Sequence, residues 1–256
     1  MLAALLTAAL TAGSALVPAP AGAAGSPASA AGSPAGAAGA LSGAAGSLVA
    51  YWRMDEQPGA TRMIDSSGNG LDGRIGDEVA TGLTSGDDIG YHFDRLEPDT
   101  PPTRPGHLVV VPDSSALDPG TDDYAVTVRL RTKNKFGNII QKGQATVAGG
   151  NFKLQIPSGR VECTFRGTKA FLEVVAPYSI NDGDWHIVRC VRVRAGVALM
   201  IDGRQVAARS GWTGPIANGW PVSIGGKLDC DQIDVGCDYY AGDLDYITIE
   251  SAPEQW

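Results

Sequence analysis

From Tyr124 to Thr132 the chain reads YAVTVRLRT, and every second position is apolar. Tyr124, Val126, Val128 and Leu130 fall on one side, and Ala125, Thr127, Arg129 and Arg131 on the other. A period of two marks a strand with one face in a core and one in water. The densest signal lies further on, in NDGDWHIVRCVRVRAGVALMIDGRQV from Asn181 to Val206. Trp185–Arg194 reads as a long strand rich in Val and Ile. Ala195-Gly196 is a two-residue break suited to a tight hairpin, because Gly takes positive φ freely. Val197–Ile201 returns, Asp202-Gly203 turns again, and Gln205-Val206 opens a further pairing.

Shorter strands are predicted at Leu48–Met54, Leu71–Ile75, Ile89–Phe93, His107–Val111 and Asn138–Gln141. Phe152–Ile156, Arg160–Phe165, Phe171–Val175 and Tyr239–Glu250 follow. Between them lie turn segments such as Ile64–Gly70 and a proline-rich loop from Glu97 to Pro105 that cannot enter a sheet interior. No helical periodicity appears between Leu48 and Glu250. About a dozen short strands without βαβ alternation predict an all-β fold, a two-sheet antiparallel sandwich.

The N-terminal region has a different character. Residues 1–47 carry no charged side chain. Met1–Val17 is apolar but shorter than the roughly 20 residues a membrane span needs, and Ala21-Gly22-Ala23 offers a small-residue cleavage site. Residues 1–23 are therefore read as a secretory signal peptide, although no Lys or Arg precedes the apolar run. Residues 24–47, built of Ala, Gly, Ser and Pro, have too little hydrophobic bulk to repay ordering and are read as a flexible linker. Residues 48–256 are assigned to one domain, and all charge lies there, with 28 acidic against 20 basic residues and a net charge of −8. That balance disfavours nucleic acid and anionic membranes as partners, since both call for basic patches. It predicts no stable membrane insertion once the signal is removed.

Several strings together resemble a known family. NDGDWH (181–186), a hydrophobic strand, and a return ending in IDGR (201–204) are similar to laminin G-like domains of the concanavalin A-like jelly-roll superfamily. YWRMDE (51–56), IDSSGNGLDGRIG (64–76), YHFD (91–94), HLVVVPDSSALD (107–118) and YYAGDLDYITI (239–249) follow the same pattern in order. The resemblance implies a jelly-roll β-sandwich in which the last strand lies close to the first. It implies a binding role without naming a ligand, because the family includes sugar binders, protein binders and spacers. Family enzymes that cut β-glucans carry acidic residues in an E-x-D-x-x-E string on one strand, and no such string is present. Glu162 and Glu173 are isolated in their strands, and His92, His107 and His186 are too scattered for a triad.

The four cysteines, Cys163, Cys190, Cys230 and Cys237, permit three pairings. Cys163 shares the apolar side of its strand with Val161 and Phe165, and Cys190 lies mid-strand, so a Cys163–Cys190 bridge between neighbouring strands is expected. Cys230 and Cys237 flank the loop DQIDVG, and a Cys230–Cys237 staple is the second expectation. Zinc is the competing reading, but there is no C-x₂-C pair to support it; reduced, buried thiols are the other.

By resemblance, jelly-roll relatives bind calcium where an early loop meets a late-strand aspartate, which singles out Asp65, Asn69 and Asp245. The bland reading is that Asp65 and Asn69 cap their own turn and that Asp245 bonds to backbone. Trp212 and Trp220 flank a Gly- and Pro-containing loop, and Tyr239 and Tyr240 precede the last strand; exposed rings there would stack on sugars. The expectation is a secreted, non-catalytic module that binds an extracellular carbohydrate or a surface protein with calcium assistance. A divergent glycoside hydrolase and a purely structural spacer are the alternatives.

Overall fold

The computed structural model describes residues 46–85, 88–96, 104–230 and 238–253. The segments expected to be a signal peptide and, for nearly all of its length, a linker lie outside them, as does Cys237 and with it the expected Cys230–Cys237 bridge. Among the described residues there is no α-helix, and no helix long and apolar enough to cross a membrane.

Sixteen strands follow one another among the described residues. They are β1 (Ser47–Trp52), β2 (Arg62–Met63), β3 (Gly73–Ile75), β4 (Val79–Ser85), β5 (Asp88–Phe93), β6 (Val109–Val111), β7 (Tyr124–Arg131) and β8 (Gly137–Lys142). The second half holds β9 (Asn151–Ile156), β10 (Glu162–Arg166), β11 (Phe171–Val175), β12 (His186–Val193), β13 (Gly196–Ile201), β14 (Arg204–Ser210), β15 (Val222–Ile224) and β16 (Gly242–Ser251). They form two antiparallel sheets. The first runs β14-β13-β12-β7-β16-β5-β4, with β1 also on β16; the second runs β11-β10-β9-β8-β15-β6-β3-β2.

The hairpin predicted from Trp185 to Ile201 is present as β12–β13, and the turn at Asp202-Gly203 leads into β14. Asp202 itself has a positive φ of 51°, a conformation Asp tolerates better than most residues. The two- and three-residue strands β2 and β15 have too few positions to register in the sequence, and β4, VATGLTS, turns Thr81 inward in place of an apolar residue and breaks its register between Ala80 and Leu83. The last strand does pair with the first. One flank of β16 takes β5 against Gly242–Leu244 and then β1 from Ile247 onward, and Asp245 lies at the changeover.

The core lies between the sheets, where Tyr124 of the first sheet meets Phe152 and Phe165 of the second at ring distances of 5.5 and 6.4 Å. The cystine is Cys163–Cys190, with Cα atoms 5.7 Å apart. Its strands are not neighbours, as the sequence led us to expect. Cys163 is on β10 in one sheet and Cys190 on β12 in the other, and both side chains point inward. The bridge crosses the sandwich. Closing a loop of 27 residues, it stabilises the fold by about 3.5 kcal/mol through the unfolded chain.

Candidate functional site

Alternation that sends Phe152, Leu154, Ile156, Cys163 and Phe165 into the core sends their neighbours to the outer face of the second sheet. Register then sets those neighbours abreast. Gln141, Lys153, Thr164 and Glu173 form one row across β8, β9, β10 and β11; Asn151, Arg166 and Phe171 form the next. All of these but Glu173, together with Gln144, Gln155, Glu162 and Lys227, line a groove of about 220 Å³.

Most of its polar groups are anchored. Gln155 Nε2 donates to Glu162 Oε1, and both amide atoms of Gln144 bond to the backbone of Asp229. Lys227 is paired with Asp238 at 2.6 Å. Arg166 lies over the Phe171 ring, 4.4 Å from its centroid, while the ring stays 37% exposed. Asn151 is different: its side chain lines the groove, the residue is only 5% exposed, and its Nδ2 has no hydrogen-bond partner. A buried donor left unmet costs about 1–3 kcal/mol. On β8, Asn138 donates to Gln141 at 3.0 Å while its own Oδ1 is unmet. Burial lifts the Glu162 carboxyl above its ordinary value, and nearby Glu173 adds to the rise while Gln155 opposes it. Gly143, at φ 75°, lets its backbone lie close against the groove wall, since a Cβ there would press on the Gly150 carbonyl and the Asn218 amide.

None of the ligand or metal candidates singled out from the sequence lies in this groove. Trp212 is half-buried under two guanidinium groups, Arg192 at 5.5 Å and Arg194 at 5.2 Å from its ring centroid. Trp220 is half-buried beside Asn218, which accepts its backbone N–H. Neither lines a cavity with Tyr239, which is half-buried at the other end of β7, edge-on to His107 at 5.1 Å. Tyr240 is a correction: it is 1% exposed and its hydroxyl reaches the carbonyls of Arg131 and Asp243. Alternation next to Tyr239 turns it into the core, where it cannot stack on a ligand. The groove's signal was present in the polar alternate positions of NFKLQI and ECTFR, but a wet strand face reads the same with or without a ligand.

The calcium candidates can be tested by their bonding. Asp65 Oδ1 accepts the backbone N–H groups of Tyr51 and Ser67 at 3.0 and 2.9 Å. Its Oδ2 accepts from Leu71 N at 3.0 Å and from the Ser67 hydroxyl at 2.8 Å. Burial alone would raise this carboxyl, but those four donors outweigh it and hold it below its ordinary value. Asn69 turns its amide donors to the Leu48 and Val49 carbonyls, and Asp245 is paired with the Arg129 guanidinium. A divalent cation needs free oxygens converging on one point; here the oxygens of Asp65 are spent on holding β1. The donor set does not fit calcium, and no group of three or more His, Cys, Asp or Glu among the described residues is placed to hold a metal.

Two antiparallel eight-stranded sheets, joined through the core by a cystine and carrying a polar groove outside, define a jelly-roll β-sandwich. The chain belongs to the concanavalin A-like lectin/glucanases superfamily: a laminin G-type family profile of that description matches residues 103–253. Among solved structures it is similar to domain 4 of an extracellular arabinanase from Geobacillus stearothermophilus, in complex with arabinotriose. That match has 13% identity and a TM-score of 0.57, covering 81% of this chain and 93% of that one. It is also similar to the binding domain of a paraclostridial mosquitocidal protein (12% identity, TM-score 0.56, 80% of this chain). The binding domain of botulinum neurotoxin serotype D is comparable, at 14% identity and a TM-score of 0.55 over 82% of this chain. The chain spans about half the length of the two toxin domains, 48% of each. At these identities the likeness is one of fold.

Proposed function

We propose that this protein is a secreted, non-catalytic module that binds an extracellular carbohydrate in the groove on the second sheet. The observation that carries the reading is the unmet Nδ2 of Asn151, buried in the groove in the same row as an exposed phenyl ring two strands away. A sugar answers both: a ring hydroxyl accepts from the amide, and the apolar face of the sugar lies against Phe171. Gln, Glu, Lys and Thr side chains along the rows supply further hydroxyl contacts. The cystine supports an oxidising compartment, and the arabinotriose complex of the arabinanase domain supports a sugar as the ligand class. Calcium has no part in this reading.

Titration calorimetry with arabinotriose, and a glycan array run with and without calcium, test it. Binding is expected in both conditions, weakened about tenfold, or about 1.4 kcal/mol, by Asn151→Ala and again by Phe171→Ala. An array with no hit, or a hit indifferent to both changes, refutes the groove. A hydrolase is the second reading, favoured by the raised carboxyl of Glu162 beside Glu173. Release of sugar from a polysaccharide, lost in Glu162→Gln, would establish it. Capture of a surface protein in place of a sugar would move the binding role to another ligand class, and silence in every assay would leave a spacer.

A further inference from the structure

A second concavity lies at the end of the sandwich where β7 passes to β8. Arg95 and Leu96 follow β5, Lys133 to Phe136 form the β7–β8 turn, and Tyr239 and Ala241 precede β16; together they line a cleft of about 360 Å³. It opens beside a hollow of about 450 Å³ over His92, Arg131 and Asp243, with Arg95, Lys133 and Asn134 common to both. Its cations are clustered: three of its eight lining residues are Arg or Lys. Arg53, Arg62, Arg104, Arg129, Arg131 and Arg189 each have a carboxylate within ion-pair distance. Arg95, Lys133 and Lys135 have none among the described residues, although acidic side chains outnumber basic ones 28 to 20.

The carboxylate lining the adjoining hollow is already engaged. Asp243 is held by Arg131 Nε at 2.9 Å and by His92 Nδ1 at 2.6 Å. Three cations therefore face a space whose remaining walls are two rings, an amide and the aliphatic side chains of Leu96 and Ala241. Phe136 is 37% exposed; Tyr239 is braced by His107 and by Arg104, whose backbone N–H donates to its hydroxyl. Asn134 supplies hydrogen-bonding groups at the edge.

We propose that this cleft binds a sugar acid, a hexuronate unit of an anionic glycan, with its carboxylate among Arg95, Lys133 and Lys135 and its ring against Tyr239 and Phe136. The inference rests on the carbohydrate-binding reading but uses a different site and a different ligand charge. A neutral sugar would leave the three cations unanswered. A lipid surface would need a broad basic face rather than a cleft of this size.

The test is calorimetry of the full chain with an oligogalacturonate and with its methyl-esterified, neutral counterpart. The acid is expected to bind and the ester not. Lys133→Ala/Lys135→Ala is expected to weaken the acid about tenfold, since two exposed pairs are lost at up to about fivefold each. Raising NaCl from about 50 to 500 mM is expected to weaken it similarly, and Lys→Arg at both positions to restore it. Both lysines are exposed, and an unchanged circular-dichroism melt shows that the variant folds. The proposal is overturned if the acid does not bind, if the ester binds equally, or if the double variant binds unchanged. Acid binding lost in Asn151→Ala/Phe171→Ala and kept in Lys133→Ala/Lys135→Ala would overturn the cleft and uphold the groove. The reverse upholds the cleft, and the groove stands or falls separately on its arabinotriose binding.

Discussion

Replacing Asp65 by alanine isolates what the early loop does. In the wild type this one carboxylate meets three backbone N–H groups, those of Tyr51, Ser67 and Leu71, and one hydroxyl. Hydrogen bonds to a charged acceptor contribute about 1.5–3 kcal/mol each when deleted singly. Water reaches some of the freed donors and the loop relaxes, so the loss is taken as about 3 kcal/mol in all. For a domain of this size that is a fall in Tm of about 6–12 °C. The carboxyl sits below its ordinary value of 3.8 in the fold. Its contribution is therefore complete above that value and disappears as pH falls through the depressed folded-state value. The gap between wild type and Asp65→Ala, followed by differential scanning calorimetry, should be full at pH 7 and close progressively below about pH 3.8. Calcium or a chelator should move neither melt. A Tm that rises with millimolar calcium in the wild type but not in the variant would refute the argument, because it would make Asp65 a cation ligand.

Removing the cystine with Cys163→Ala/Cys190→Ala should cost about 3.5 kcal/mol from the unfolded-state constraint, read as a shift in the denaturant midpoint; a loss below about 1 kcal/mol would contradict the ordered crossing of the core. His186 lies between Asp202, at 2.8 Å, and Asp182, at 3.2 Å. Burial lowers its pKa, but the two carboxylates outweigh burial and raise it above 6.5. Its stabilisation is present below pH 6.5 and is lost as pH climbs through the raised value, so wild-type Tm should decline over that window while His186→Gln stays flatter. Tyr240→Phe removes a hydroxyl that reaches the Arg131 and Asp243 carbonyls, at a cost of about 1 kcal/mol. It should leave ligand binding unchanged, and a binding defect without a stability defect would contradict its placement in the core.

The sequence by itself determined the fold class, because the evidence for it is local. Alternation in YAVTVRLRT, the tight break at Ala195-Gly196 and the turn at Asp202-Gly203 are read within a few residues, and each reappears as β7, the β12–β13 hairpin and the turn into β14. Cys163 and Cys190 were also rightly paired, since both lie on inward faces. Tertiary structure decided the rest. Whether the cystine joins neighbours or opposite sheets depends on strand order, and β7, not β10, lies beside β12. Whether Asp65 meets a cation or amides depends on how the loop lies against β1. The groove depends on register, which brings Asn151, Arg166 and Phe171 abreast from three strands. One strand's polar face carries no record of its neighbours, so the residues that would meet a ligand become visible only once the strands are paired.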